Sequence, residues 1–365
     1  DERYVKAVRY ATKAPGRERP RMVLLADVAG DDETRVARIA SHLVAIVNAR
    51  DGEGFIAVSP EARRRFWLDR SRTAAISAHT NAFKINEDVV IPQQRLVEYN
   101  TGIERINIEQ SIANKIESID AFSVYLAGEL KEFRQTGDYE PSDESSAIFQ
   151  AKLDLAREHL ARVRARWSCL LERMDDTASA HTDILSEAEQ DSIHSDDRLL
   201  DLMLRRDVRV SYRNEIKQHL REIFSGQEME PLRNALRAKH VVLKNNRLFV
   251  ALHMHAGDGN VHTNIPVHSD NYRMLHEADR VVDRVMRLAI DLGGVISGEH
   301  GIGLTKIDYL GADKIDAFVK YKQQVDPNGH FNKGKLMPGS GLGDAYTPSL
   351  ALVQQEALIL EQSEL

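Results

Sequence analysis

The sequence predicts an α+β fold: a small antiparallel sheet covered by helices, interrupted by a long helical insertion and followed by a C-terminal helical segment. Three observations predict it. Short apolar runs alternate with helix-period stretches over roughly the first hundred residues. Between about 93 and 230 the strand signals stop and apolar residues recur at steps of three and four. Strand grammar then returns around an Asp-Gly turn at Asp258-Gly259.

Taken in order, "RMVLLADVAG" (21–30) reads as a buried strand entering a glycine turn. The next twenty residues carry an acidic first turn and the stripe Val36, Ile39, Leu43, Ile46, Val47, which is a helix. "GFIAVS" (54–59) is a second strand, Pro60 opens a second helix, and "NEDVVIP" is a third strand stopped by Pro92. Ile108, Ile112, Ile116, Ile119, Leu126 and Leu130 then fall at helical spacing. After the polar break "RQTGDYEPSDESS", Leu153, Ala156, Leu160, Val163, Trp167, Leu170 and Met174 form a heptad seam. A further amphipathic stretch runs from Leu200 to Phe224. These read as long antiparallel helices projecting from the sheet, whose role is packing or dimerisation; a homodimer through this region is one expectation. "HVVLKNNRLFVALHMHAGDGNVHTNIPV" reads as strands with a turn at "KNNR". A helix follows, ended by Gly293-Gly294, then the short strand "GVIS", another helix and the turn-rich "DPNGHFNKGKLMPG".

Composition excludes several classes. Net charge is −7, with 42% apolar and 29% charged residues, which gives no nucleic-acid footprint. No apolar run approaches the ~18 residues of a membrane span, and no signal peptide opens the chain. Cys169 stands alone, so neither a disulfide framework nor an iron–sulfur cluster can be built from this chain. A cytoplasmic location is expected. The chain opens on Asp1, and "ALVQQEALILEQSEL" is helical in pattern without a cap, so it reads as a piece of something longer.

The densest polar feature is "HMHAGDGNVHTN" (253–264). With Asp258-Gly259 as a two-residue turn, His255 faces His262 and His253 faces Asn264, all on one side of the ribbon because side chains alternate along a strand. Opposed residues there have Cβ atoms about 5 Å apart, close enough for two imidazoles to grip one divalent ion. A buried, hydrogen-bonded histidine pair is the other reading; two in register beside a polar Asn264 put the metal reading ahead. Glu299 of "SGEHGIG" is the best third ligand, since two His and one carboxylate leave a coordination position open. His300 then stands beside the centre as a base.

"HAGDGNVH", "GGVISGEHGIG" and "DPNGHFNKGK", in that order, resemble the C-terminal half of FAD-linked oxidases of the vanillyl-alcohol oxidase type. The branch is that of D-lactate dehydrogenases, the glycolate oxidase flavin subunit and D-2-hydroxyglutarate dehydrogenase. "FWLDR" and "INEDVVIP" are similar to earlier motifs of the same branch. The resemblance covers roughly residues 20–100 and 240–340. It implies a ferredoxin-like cap in two parts (1–98 and 236–293), split by the helical insertion (99–235). A helical segment (294–340) returning to the flavin domain and a tail or linker (341–365) complete it.

It also implies zinc or manganese on His255, His262 and Glu299, His300 as base, and substrate-carboxylate contacts from Arg70, Lys84 and Asn264. Gly259, Asn260, Gly301 and Asn332 are expected to face the cofactor. A threonine found after the arginine in some members is replaced by Ala74, which leaves the distal substrate group open. The glycine loop of a flavin domain does not occur in this chain, so FAD would be bound mostly by an N-terminal domain of the same parent chain. Some relatives also carry an iron–sulfur module. The expected reaction is oxidation of a small D-2-hydroxy acid to its keto acid, with peripheral inner-membrane contact through an electron-transfer partner. Two rivals are a metallohydrolase using the same His2Glu set and a docking or dimerising module without chemistry of its own.

Overall fold

The computed structural model describes residues 3, 5, 20–71, 83–128, 130, 143–303 and 306–337. Ala74, most of the polar break and the expected tail lie outside them. Helices α1 (Glu33–Asn48) and α2 (Pro60–Ser71) precede strand β1 (Phe83–Val90). The long α3 (Leu96–Ala127) and α4 (Asp143–Glu172) follow, then α5 (Leu199–Arg205), a π-helical turn (Tyr212–Lys217) running into α6 (Gln218–Ile223), and α7 (Glu230–Asn245). Strands β2 (Ala251–His255) and β3 (Asn260–Val267) form the hairpin, and α8 (Tyr272–Asp291) and α9 (Ala312–Val325) complete the described chain. The three strands make one antiparallel sheet of order β1-β3-β2. None of the described helices is long and apolar enough to cross a membrane.

Strand alternation gives the sheet two unlike faces. Ile85, Val89, Leu252, Val261 and Ile265 point one way and are buried under α3 and α8, through Tyr99, Ile103, Ile106, Val281 and Val285. Lys84, Asn86, Asp88, Asn260, His262, Asn264, His253 and His255 hold the opposite parity. Helix α3 serves two cores: its first half covers the sheet, while Ile112, Ile119, Phe122 and Leu126 enter the helical one. Asn107 at the junction acts as a piece of strand, donating to the Val250 carbonyl at 3.0 Å and accepting from its N–H at 2.7 Å. Helix α4 runs antiparallel to α3, fastened by Arg105–Asp175 at one end and Arg164–Asp120 toward the other. Every residue of the heptad seam, from Leu153 to Met174, is buried in this chain's own core. The seam is therefore filled from within, and a homodimer would need a different surface of this region.

Several local expectations change. Residues 21–30 and 54–58 are not strands, and Met22, Leu24, Ile56 and Val58 are exposed. No residue of α1 is buried either. An apolar run shows which side would be covered, not whether a second layer stands there to cover it. "HVVLKN" is the end of α7 rather than a strand: Leu232 and Leu236 continue one helical face that is buried, and Val241 and Val242 fall on the exposed side. The stretch from Leu200 to Phe224 is broken at Arg206, whose φ of 72° ends α5, and resumes through the π-helical turn. Leu130 lies beyond α3, with a φ of 48°.

His240 on α7 stacks on Tyr212, with ring centroids 3.5 Å apart and planes within 5°. Burial first, and the neighbouring Lys244 and Lys217 next, push its pKa down to about 4. A histidine held neutral contributes stability that is full above its ordinary pKa of about 6.5 and is lost as pH falls toward the folded value. His240→Phe keeps the stack and removes this proton uptake. Urea unfolding from pH 7 to 4.5 should then show the acid-side loss reduced by on the order of 2 kcal/mol.

Candidate metal centre

The hairpin sets its histidines in a register two residues away from the expected one. His253 pairs with His262, and His255 pairs with Asn260 across a four-residue loop, Ala256 to Gly259. The Asp258 N–H donates to the His255 carbonyl at 3.0 Å, closing the first part of that loop. Gly259 takes the left-handed φ of 72° and packs against the Ile91 backbone where a Cβ would strike the carbonyl. A shift of two residues leaves every side chain on its original face. His253, His255, His262 and Asn264 therefore still share one side, joined there by Asn260, the side chain now nearest Glu299.

Glu299 arrives from the loop after α8. Its Oε1 lies 3.5 Å from His255 Nε2 and its Oε2 lies 3.6 Å from His262 Nε2. One donor atom from each of the three residues falls within 4.8 Å of the others. Two ligand atoms about 2.1 Å from one ion at the tetrahedral angle stand about 3.4 Å apart, so the donor set fits a single divalent ion. His262 is buried, and its pKa is lowered by burial against the opposing pull of Glu299, which leaves the ring neutral at pH 7 and able to ligate. His255 and Glu299 are exposed on the other side of the triangle. His300 brings its ring within 5.2 Å of His262, centroid to centroid. His253 stacks flat on His262 at 4.5 Å, and its pKa is pushed down to about 3 by burial and then by the charges of its neighbours, Arg70 and Lys84 among them.

Lys84 lies on the site face of β1, half-buried, with its pKa lowered by burial. Arg70 is half-buried in the last turn of α2. Asn264 is fully buried; its amide nitrogen contacts His253 Nδ1 at 3.0 Å and the carbonyls of His262 and Ala251, and its oxygen meets no hydrogen-bond donor. Asn260 donates to Glu299 Oε1 at 2.9 Å and so orients the carboxylate. Gly301 follows His300 at a φ of 80°. Asn332 sits on a separate element, in the turn after α9, where its carbonyl accepts from Lys322.

Two residues that the sequence reading passed over organise the loop. Asp88, opposite His262 in the ladder, is fully buried, and its carboxylate accepts from the backbone N–H groups of Gly298, Glu299 and His300. Lys306, also buried, reaches Asp88 Oδ1 at 2.7 Å and Glu87 at 3.2 Å. Burial pushes the Asp88 carboxyl up, but Lys306 and the loop amides outweigh it and hold it well below the usual carboxylate range. The one signal that could have pointed there is the alternation in "KINEDVV", which sets an acid on the polar face of a strand.

Gly298 admits the loop to the sheet: a Cβ on it would sit 2.7 Å from Asn260 Oδ1 and 2.9 Å from Val90 Cγ2. Gly298→Ala should push on Asn260 and shift the loop, so that Glu299 stays present but is less well aligned with His255 and His262. Zinc affinity is expected to fall about 10–100-fold, read by competition with a chromogenic chelator, because the disturbed groups orient a ligand without being ligands.

The profile of the family described as "FAD linked oxidases, C-terminal domain" matches residues 1–120 and 229–336, more than half of the chain. The E. coli K12 glycolate oxidase subunit GlcD is 39% identical over 95 residues, 25% of this chain and 19% of that protein. The Arabidopsis thaliana mitochondrial D-lactate dehydrogenase [cytochrome] is 32% identical over 124 residues, 33% of this chain and 20% of that protein. The Stutzerimonas stutzeri D-2-hydroxyglutarate dehydrogenase is 39% identical over 88 residues, 22% of this chain and 19% of that protein. The matched part is thus about a fifth of each relative's length. By the extent of the profile match, this chain belongs to the family of the C-terminal domains of FAD-linked oxidases.

Proposed function

We propose that the chain is the substrate-side portion of an FAD-dependent 2-hydroxy-acid dehydrogenase, with zinc or manganese held by His255, His262 and Glu299. The observation that carries this reading is the meeting of those three donors, within 4.8 Å, on a chain of this family. The names of the relatives, which are those of glycolate, D-lactate and D-2-hydroxyglutarate enzymes, favour it over a metallohydrolase or a docking module. A bound divalent ion would supply a positive charge that favours ionisation of the substrate hydroxyl, and FAD would accept the hydride from its carbon.

The chain's own residues do the rest. His300, with Nδ1 3.5 Å from Asp88 Oδ1, keeps Nε2 for the hydroxyl proton. Arg70 and Lys84 hold the substrate carboxylate, Arg70 through a two-pronged fork, while Asn264, fully buried, steadies the neighbouring His253 ring. Lys84 is suited to this because burial already disfavours its charge, so an anion gains more there than at a solvated lysine. Gly259, Asn260, Gly301 and Asn332 are assigned to the cofactor side. FAD would be bound chiefly by a flavin domain of the same parent chain, with an iron–sulfur module as a further partner. A cytoplasmic location, peripheral to a membrane through the electron acceptor, accords with these partners.

The test uses the full-length flavoprotein. Its flavin absorbance should bleach on addition of D-lactate, glycolate or D-2-hydroxyglutarate, and metal analysis should find about one zinc or manganese per chain, removed with loss of bleaching by a chelator. Metal without flavin, together with ester or amide hydrolysis, would establish the hydrolase instead.

A further inference from the structure

We propose that Asp88 is the positioning residue of the centre: paired with Lys306, it holds Glu299 and His300 in place through their backbone N–H groups and also faces the His300 ring, without touching ion or substrate. The inference rests on the metal reading above and adds what sets that site's affinity. Glu299 is a surface glutamate, its side chain 54% exposed, and Asn260 is its one hydrogen-bonded tether among the described residues. A glutamate so placed keeps several rotamers unless its Cα is fixed.

The fixing comes from below. Three successive amides, those of Gly298, Glu299 and His300, converge on one Asp88 oxygen, Oδ2, and Ser297 Oγ reaches Oδ1 at 3.3 Å. Successive N–H groups curled in this way form an anion-binding nest, and here the anion is the chain's own carboxylate. Lys306 Nζ closes the arrangement, at 2.7 Å from Asp88 Oδ1 and 3.0 Å from the Asp88 carbonyl. Asp88 is also the ladder partner of His262. One pair of residues on neighbouring strands therefore sets both the buried imidazole ligand and the loop that carries the carboxylate ligand. Lys306 comes soon after the two left-handed glycines, Gly301 and Gly303, so both ends of the loop are tied to the same strand.

A purely structural ion pair and a positioning clamp respond differently to removal of both charges. Asp88→Asn combined with Lys306→Met leaves no fully buried charge alone, and Glu87, which also loses Lys306, keeps partial access to water, so the double variant should melt much closer to the wild-type temperature than Lys306→Met does. The loop amides would then face a neutral, weaker acceptor. Zinc affinity, measured on the whole chain by chelator competition, is expected to fall at least tenfold in the double variant. An unchanged affinity with a wild-type melting temperature would overturn the inference.

Native-state hydrogen exchange on the unaltered chain gives a second reading, which decides the matter if the double variant does not fold. The amides of Gly298, Glu299 and His300 should exchange as slowly as those of β1 and β3. Exchange at the rate of an open loop would refute the clamp. A wild-type chain that binds no zinc overturns the metal reading, whereas the exchange measurement still judges Asp88 on its own.

Discussion

His262→Ala is expected to lower zinc affinity by at least about 100-fold, beyond the 10–100-fold that follows from disturbing groups outside the ligand set. His262 is the only one of the three donors that is buried, and its ring is wedged between His253 and the edge of His255. Removing it deletes a ligand and also opens a hole under the remaining two. His255 and Glu299 alone would leave the ion half-coordinated on an exposed surface, where water competes freely. Glu299→Gln should be nearly as severe, since it removes the one negative charge among the ligands while keeping the shape. Titration with zinc in the presence of a competing chelator reads both variants, and circular dichroism at pH 7 checks that the sheet is intact. If His262→Ala binds zinc as the unaltered chain does, the His2Glu assignment fails, and the three side chains are an ordinary histidine–carboxylate cluster.

The legibility of this site has a geometric cause. The expected two-residue turn was wrong, because Ala256 and Gly257 belong to the loop, but the resulting error in register is two residues. Strand side chains repeat every two residues, so the error left the histidines on their common face; a slip of one would have sent His255 and His262 to opposite sides. Glu299 was legible as a carboxylate between glycines after a short extended segment. Asp88 and Lys306 were not, because nothing local distinguishes a buried lysine from a solvated one, and their pairing spans more than two hundred residues of chain. The helices of the insertion were readable where periodicity is a local property, as along Leu153 to Leu170, and unreadable where tertiary contacts end a helix, as at Arg206. The expected strands at 21–30 and 54–59 failed for the same reason: a strand is a relation between two segments, and hydropathy describes one.

Lys306→Met is the substitution expected to cost the fold most, about 3–5 kcal/mol, as for other buried pairs that lose one partner. The attraction removed is only part of the cost. Asp88 would remain buried and ionised with its main counter-charge gone, and burial already works against that ionised form. The methionine fills most of the lysine's volume, so packing loss contributes little.

The pH dependence separates this cause from a cavity. In the unaltered chain the Asp88 carboxyl titrates below its unfolded value of about 3.9, so the pair's contribution is present above that pH and is lost as pH falls through the folded pKa. Without Lys306 the folded pKa rises, and the variant takes up the proton at milder acidity than the unaltered chain does. The difference in unfolding free energy should therefore be largest near pH 7 and should shrink below about pH 4. Urea unfolding of both proteins at pH 7 and pH 3.5 measures it. A deficit that is the same at both values would mean that methionine disturbs packing and that the lysine charge does not hold the loop.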